Sequence, residues 1–130
     1  MRIAIKKDVF YEMLMHCLRE SPLEAFGYLS GSSKTAEAMD KAQSLKDEFA
    51  PPDPAETFRL RREMKERGHK LLAVFRAHRL TNRPTRIDAE SLPEPGLAHI
   101  VVTLSQEGMP AAKAYRIEPG GARQINLEIE

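Results

Sequence analysis

Arg76-Ala77-His78 stands where a continuous apolar run, Leu71 to Phe75, gives way to polar residues. Successive side chains on a strand point to opposite faces, so residues 76 and 78 share one face. Two histidines at that spacing would offer two imidazoles to one metal ion, but here the first position is arginine. Ten residues after His78 comes Asp88, preceded by Thr85. Upstream, Glu24 opens another strand-like segment that can approach the same point. Taken singly, each residue has a plainer reading. Thr85-x-x-Asp88 is a helix capping box that needs no metal. His78 is a polar residue at a strand end, and Glu24 a carboxylate at a strand start.

The surrounding pattern supplies the elements that must position these side chains. Ile3 and Ile5 alternate with polar residues, as in a short strand. From Asp8 to Glu20, Phe10, Met13, Leu14, Cys17 and Leu18 recur at helical spacing, and Ser21-Pro22 ends the helix. Glu24 to Gly31 reads as a strand closed by Gly31-Ser32-Ser33, with a weaker strand over Thr35 to Leu45. Ala50-Pro51-Pro52 is a rigid connection. Asp53-Pro54-Ala55-Glu56 then opens a helix, with Asp53 as cap, Pro54 in the first turn and Glu56 completing a capping box. That helix runs to about Arg67, with Gly68 suited to its C-terminal cap. Leu71 to Phe75 is a buried central strand, expected to pack beside Val101. A polar loop, Arg79 to Pro84, leads to a short helix over Thr85 to Leu92. Three strands close the chain: Ala98 to Leu104, Ala111 to Ile117 and Gln124 to Ile129. Gly108, Pro110, Pro119 and Gly120-Gly121 fall in their connectors. Runs of adjacent strands favour an antiparallel or mixed sheet with helices packed on it.

In combination, these residues carry a resemblance. EAFGYLSG from Glu24, Arg76-Ala77-His78-Arg79, the loop Leu80 to Pro84, and Thr85-Arg86-Ile87-Asp88 follow one another in the order of the MPN domain family, also called JAB1/Mov34/PAD-1 or JAMM metalloproteases. The chain is similar to the short bacterial members over about Ile3 to Ile129. The resemblance implies an α/β (α+β) fold of MPN (cytidine deaminase-like) type: a curved mixed sheet with helices packed on it, as one domain over 1–130. In active members two His and an Asp bind zinc with a water in the fourth position, the open arrangement of a catalytic site. The metal acidifies the water, a Glu takes its proton, and a Ser helps hold the oxyanion. The hydrolase cleaves at the C-terminus of ubiquitin or a ubiquitin-like protein, and the short bacterial type trims sulfur carriers of that shape.

Carried over by position, Glu24 matches the general base, Thr85 the oxyanion-stabilising Ser, His78 the second His ligand and Asp88 the carboxylate ligand. Arg76 occupies the first His-ligand position. Arginine stays protonated and has no lone pair for a metal. Arg79 replaces the family Pro, and the loop to Thr85 is slightly short. These departures give the expectation of a degenerate zinc motif, with no cofactor and no normal peptidase activity. Arg76 is then expected to point into the pocket and pair with Asp88, Glu24 or both. The expected partner is a ubiquitin-like or sulfur-carrier protein, an MPN-type heteromer or a second copy in a homo-oligomer. The alternative is a zinc-dependent metallo-isopeptidase with a remodelled site.

The remaining features exclude more than they assign. A net charge of +1 gives no global field toward nucleic acid or an anionic membrane. No apolar run has the length of a membrane span, and Met1 to Asp8 lacks a signal-peptide pattern. Cytoplasm follows as the default expectation. Cys17 is the only cysteine and falls on the apolar helix stripe, so no internal disulfide or cysteine-cluster zinc site forms. His16 and His69 are expected at the surface and His99 half-buried; none is a replacement ligand. The basic run Arg59 to Lys70 carries Arg59/Glu63, Glu63/Arg67 and Arg62/Glu66 at four-residue spacing. This reads as a salt-bridged solvated face rather than a nucleic-acid site.

Overall fold

The computed structural model describes residues 1–104 and 109–130. Among them run β1 (Arg2–Ile5), α1 (Lys7–Glu20), β2 (Glu24–Gly31), β3 (Thr35–Ala36), β4 (Ala38–Leu45), α2 (Pro54–Glu66), β5 (Lys70–His78), α3 (Arg86–Glu90), β6 (Ala98–Leu104), β7 (Pro110–Glu118) and β8 (Gly121–Ile129). The eight strands form one sheet in the order β3-β1-β8-β7-β6-β5-β2-β4. β1 pairs in parallel with β3 and β8, and β5 with β6; the other pairings are antiparallel. The fold is thus α+β with a mixed sheet.

The curvature has a simple cause. β3 and β4 lie at opposite ends of the sheet order, yet only Glu37 separates them in the chain. The two edges must therefore meet, and the sheet bends into a nearly closed barrel. This explains why the expected strand over Thr35 to Leu45 divides in two: Thr35–Ala36 pairs with β1 and Ala38–Leu45 with β2. Hydrogen bonds pin the seam. Glu37 N donates to Ser30 O at 2.8 Å, and Lys6 N to Ala36 O at 3.0 Å.

Side-chain alternation splits the core between the two faces of the sheet. Ala73, Phe75 and Ala77 of β5 join Ile5, Met13, Cys17, Leu29 and Ile100 in the cluster under α1. Val74 joins Phe26, Tyr28, Leu60, Met64 and Leu97 under α2. Val74, Phe75 and Val101 are buried as expected, whereas Leu71 and Leu72 are only half-buried, because β5 begins at the rim of the sheet. Cys17 is fully buried, and burial pushes its thiol up to about 12. His16 corrects the surface expectation. It sits on the buried side of α1, edge-on to the Phe75 ring at 6.2 Å.

Local chemistry also departs from the sequence pattern in places. Asp53 caps α2 by accepting from Ala55 N at 3.0 Å, but Glu56 does not complete a box. Its carboxylate instead accepts from Gln43 N at 2.9 Å, tying α2 to β4. Of the three four-residue charge pairs on α2, Arg59–Glu63 forms, at 3.2 Å. Arg67 turns away to Asp40 at 2.7 Å, because β4 offers a carboxylate across the seam. Pro110 opens β7 rather than lying in its connector, and the third helix is shorter than expected, Arg86–Glu90. Gly108 lies outside the described residues. No described helix is long and apolar enough to cross a membrane.

Gly27 shows how tightly the central strands approach. A Cβ there would stand 2.5 Å from Asp40 O and 2.7 Å from the Phe75 ring. Gly27→Ala must displace backbone or a buried aromatic, at about 1–3 kcal/mol. Equilibrium urea unfolding should show that loss; an unchanged midpoint would mean that β2, β4 and β5 are not packed this closely.

Candidate functional site

The sheet register brings the chemically capable residues together. Phe26 of β2 pairs with Arg76, so Glu24, two residues earlier, falls opposite His78 on the same face. β6 runs parallel to β5 with Val74 beside His99 and Arg76 beside Val101. His99 therefore also faces the site. α3 lies over the C-terminal end of β5 and supplies Asp88. Thr85 is its N-cap, and the capping box is complete: Asp88 N donates to Thr85 Oγ1 at 3.2 Å and Thr85 N to Asp88 Oδ2 at 2.8 Å. The capping box and the site therefore occupy the same residues.

Arg76 is the largest fully buried side chain among the described residues, 2% exposed. Its Nε donates to Glu24 Oε1 at 2.8 Å and its Nη2 to the carbonyl of Asp47 at 2.8 Å; Asp88 Oδ1 lies 4.0 Å from Nε. The guanidinium points into the pocket. His78 stands between the two carboxylates, with Nδ1 at 3.3 Å from Glu24 Oε2 and Nε2 at 2.6 Å from Asp88 Oδ2. An imidazole can satisfy two carboxylates only when both nitrogens carry protons. Burial alone would lower the His78 pKa. The hydrogen bonds that His78 donates to Asp88 and Glu24, and the negative charge of both, outweigh it and push His78 up to about 9. Burial likewise works to raise Asp88, but the imidazoles of His78 and His99 hold its carboxyl far below the usual range. Two cations and two carboxylates thus form a neutral, buried quartet.

The residues at the three family ligand positions do not fit zinc. An open catalytic site needs three protein lone pairs aimed at one point. Arg76 has none, both His78 nitrogens face carboxylates, and Asp88 Oδ2 already accepts from His78 and Thr85. Among the described residues no group of three His, Cys, Asp or Glu is arranged to hold a metal ion. The cavity between Arg76, Asp88, Ser91 and His99 is about 10 Å³, the size of a single water.

A family model of prokaryotic homologs of the JAB domain matches residues 6–118. The chain belongs to this family. The prokaryotic JAB chain is 23% identical to a CysO-cysteine peptidase of Mycobacterium tuberculosis, over 98% of its own length and 90% of the relative's. In fold it is similar to a protein of Desulfitobacterium hafniense solved in solution, with a TM-score of 0.82 at 24% identity. That match covers 100% of this chain and 93% of the other. A JAB1/MPN domain protein of Archaeoglobus fulgidus superposes with a TM-score of 0.66 at 18% identity, covering 97% of each chain. The expected MPN-type architecture is the one observed.

Sequence reasoning missed three features of this JAB domain. Asp47 contributes a backbone carbonyl, which no side-chain motif reveals. His99 is fully buried rather than half-buried, with Nε2 3.5 Å from Asp88 Oδ2; neither ring nitrogen makes a hydrogen bond among the described residues. Its place is set by strand register, although its alternation with Val101 and Thr103 was a readable signal. His69, expected at the surface, is half-buried. Its Nδ1 lies 3.1 Å from Ser30 Oγ and its Nε2 3.4 Å from Glu37 Oε1, the order of a hydrolytic triad. Ser30 has no exposed surface, so no substrate reaches that hydroxyl. The trio braces the seam of the sheet instead.

Two predictions follow from the quartet. Removing one member of a buried ion pair leaves an uncompensated charge, so Arg76→Ala should cost about 3 kcal/mol in urea unfolding. A change below about 0.5 kcal/mol would mean that Glu24 and His78 hold without the guanidinium. The second concerns pH. A raised His78 pKa stabilises fully below the unfolded value near 6.5 and is lost as pH rises through about 9. Stability should therefore fall by on the order of 1–3 kcal/mol between those limits. The slope should vanish in His78→Gln; the same slope in that variant would assign it to another group.

Proposed function

We propose that this chain is a prokaryotic JAB domain without zinc peptidase activity, serving as a binding or assembly module for a ubiquitin-like protein of the sulfur-carrier kind or for an MPN-type partner. The observation that carries this reading is the Arg76–Glu24 pair at 2.8 Å. In active members of the family the carboxylate matching Glu24 takes a proton from a metal-bound water. Here that carboxylate neutralises a permanent cation, and a guanidinium neither leaves nor deprotonates at physiological pH. Thr85, matching the oxyanion-stabilising hydroxyl, accepts the Asp88 amide and caps α3. His78 and Asp88, matching two ligands, are bound to each other.

A binding role is supported by the surface outside the quartet. A hollow of about 320 Å³ opens over Glu24 and Asp47, lined also by Pro22, Lys46, Glu48, Phe49, Arg79 and Leu80. Phe49 and Leu80 are exposed, and apolar side chains rimming a hollow suit the extended C-terminal tail of a carrier protein. The mycobacterial relative is, by name, a peptidase acting on CysO-cysteine. By analogy, the carrier tail is the segment this mouth would receive.

A second reading, a zinc metallo-isopeptidase with a remodelled site, is favoured by one observation. His99 brings a second buried imidazole within 3.5 Å of Asp88, with neither nitrogen hydrogen-bonded among the described residues. Metal analysis of protein purified without chelator separates the two. Our reading expects far less than one zinc per chain and no cleavage of ubiquitin-like C-terminal fusions with added Zn²⁺. It also expects Leu80→Asp to weaken binding of an intact sulfur carrier. Tightly held zinc at one per chain, with cleavage that disappears in Glu24→Gln, would sink it.

A further inference from the structure

At the far end of the α2 face, away from the quartet, lies a hollow of about 730 Å³. It runs between the C-terminal half of α2, the start of β5 and the loop before β6. Its floor is apolar, formed by Met64, Leu71 and Leu97. Its walls carry four cations, Arg61, Arg62, Lys65 and Lys70, against one carboxylate, Glu94. Arg61 is held to Glu94 at 3.3 Å. The side chains of Arg62, Lys65 and Lys70 make no ion pair or hydrogen bond among the described residues. A second hollow of about 450 Å³, rimmed by Pro51, Pro54 and Pro93, adjoins the first. Phe58 and Arg61 line both, so Phe58, 70% exposed, forms the ridge between them.

This concentration is unusual for the chain. Its net charge is only +1, so the positive field is local rather than global. An isolated exposed phenylalanine needs no explanation, but one standing between two hollows beside unpaired cations marks an interaction surface. Lys70 begins β5, and Arg76 follows six residues later on an extended strand. That separation is about 20 Å, and the hollow shares no lining residue with the quartet cavity or its mouth.

We propose that this groove docks an extended acidic segment of a partner protein, with an apolar side chain seated beside Phe58 and carboxylates directed at Arg62, Lys65 and Lys70. The charge on the walls selects an anion. The apolar floor and the single aromatic select a peptide over a nucleic acid, which would need stacking platforms and a continuous cationic track. Glu94 and Glu90, which line the two hollows, break such a track. From Phe58 to Lys65 the helix rises about 10 Å, which spans three or four residues of extended peptide. The inference does not depend on what the quartet does.

The test is fluorescence anisotropy with the full chain and a labelled eight-residue peptide of alternating glutamate and leucine. The peptide should bind at low salt and weaken as salt rises. The charge reversal Arg62→Glu with Lys65→Glu should weaken it by about tenfold or more, and Phe58→Ser by about fivefold. Arg19→Glu, on the exposed side of α1 and outside both hollows, should leave it unchanged. All these positions are exposed, and matching unfolding midpoints confirm that each variant folds. Absence of binding, equal binding by the charge-reversed protein, or tighter binding of an oligonucleotide of equal charge would overturn the proposal. So would self-association in sedimentation that disappears in Phe58→Ser, because a second copy would then be the occupant.

Discussion

A permanently charged guanidinium in the interior of a small protein is tolerable only if its charge is matched there. Arg76 meets that condition with Glu24 on the neighbouring strand and the Asp47 carbonyl on the loop beyond β4. His78 then links the same Glu24 to Asp88, and Asp88 caps α3. One charge-matched chain thus connects β2, β5, the 46–53 connection and the last helix. None of these contacts can be dropped alone without stranding a buried charge. The position of α3 and the conformation of the loop before α2 both depend on that constraint.

The second constraint is topological. β3 and β4 border opposite edges of the sheet while Glu37 alone separates them. Joining the edges through that one residue forces the sheet to curve. The groups at the seam are polar for this reason. Ser30, His69, Glu37, Arg67 and Asp40 satisfy one another where strands of different direction meet. Read without exposure, the Ser30–His69–Glu37 trio would suggest a hydrolase. Its burial shows a bracing role.

The proposed functional reading and the docking groove occupy opposite ends of one helical face. The quartet end is charge-neutral and closed; the groove end has unpaired cations and an open apolar floor. The same α2 helix links the two, buried through Leu60 and Met64 and carrying Arg62 and Lys65 outward. Such surfaces depend on packing rather than on metal ligands.

Legible in the sequence were the element order, apart from the division of Thr35 to Leu45 into two strands, the family pattern and the coexistence of Glu24, Arg76, His78, Thr85 and Asp88. These are local or ordered signals: apolar periodicity, capping chemistry, and residue types that do or do not possess a lone pair. The sequence also implied that an arginine among converging carboxylates would pair with them, since charge matching follows from residue type. Only the tertiary structure decided which carboxylate Arg76 meets, that Asp47 lends a carbonyl, and that His99 joins the pocket. It likewise decided that His16 is buried, and that Glu56 and Arg67 abandon their helical partners for β4. Those outcomes depend on strand register and sheet closure, where residues far apart in sequence compete for the same donor. A local pattern carries no information about which competitor the fold will bring nearest.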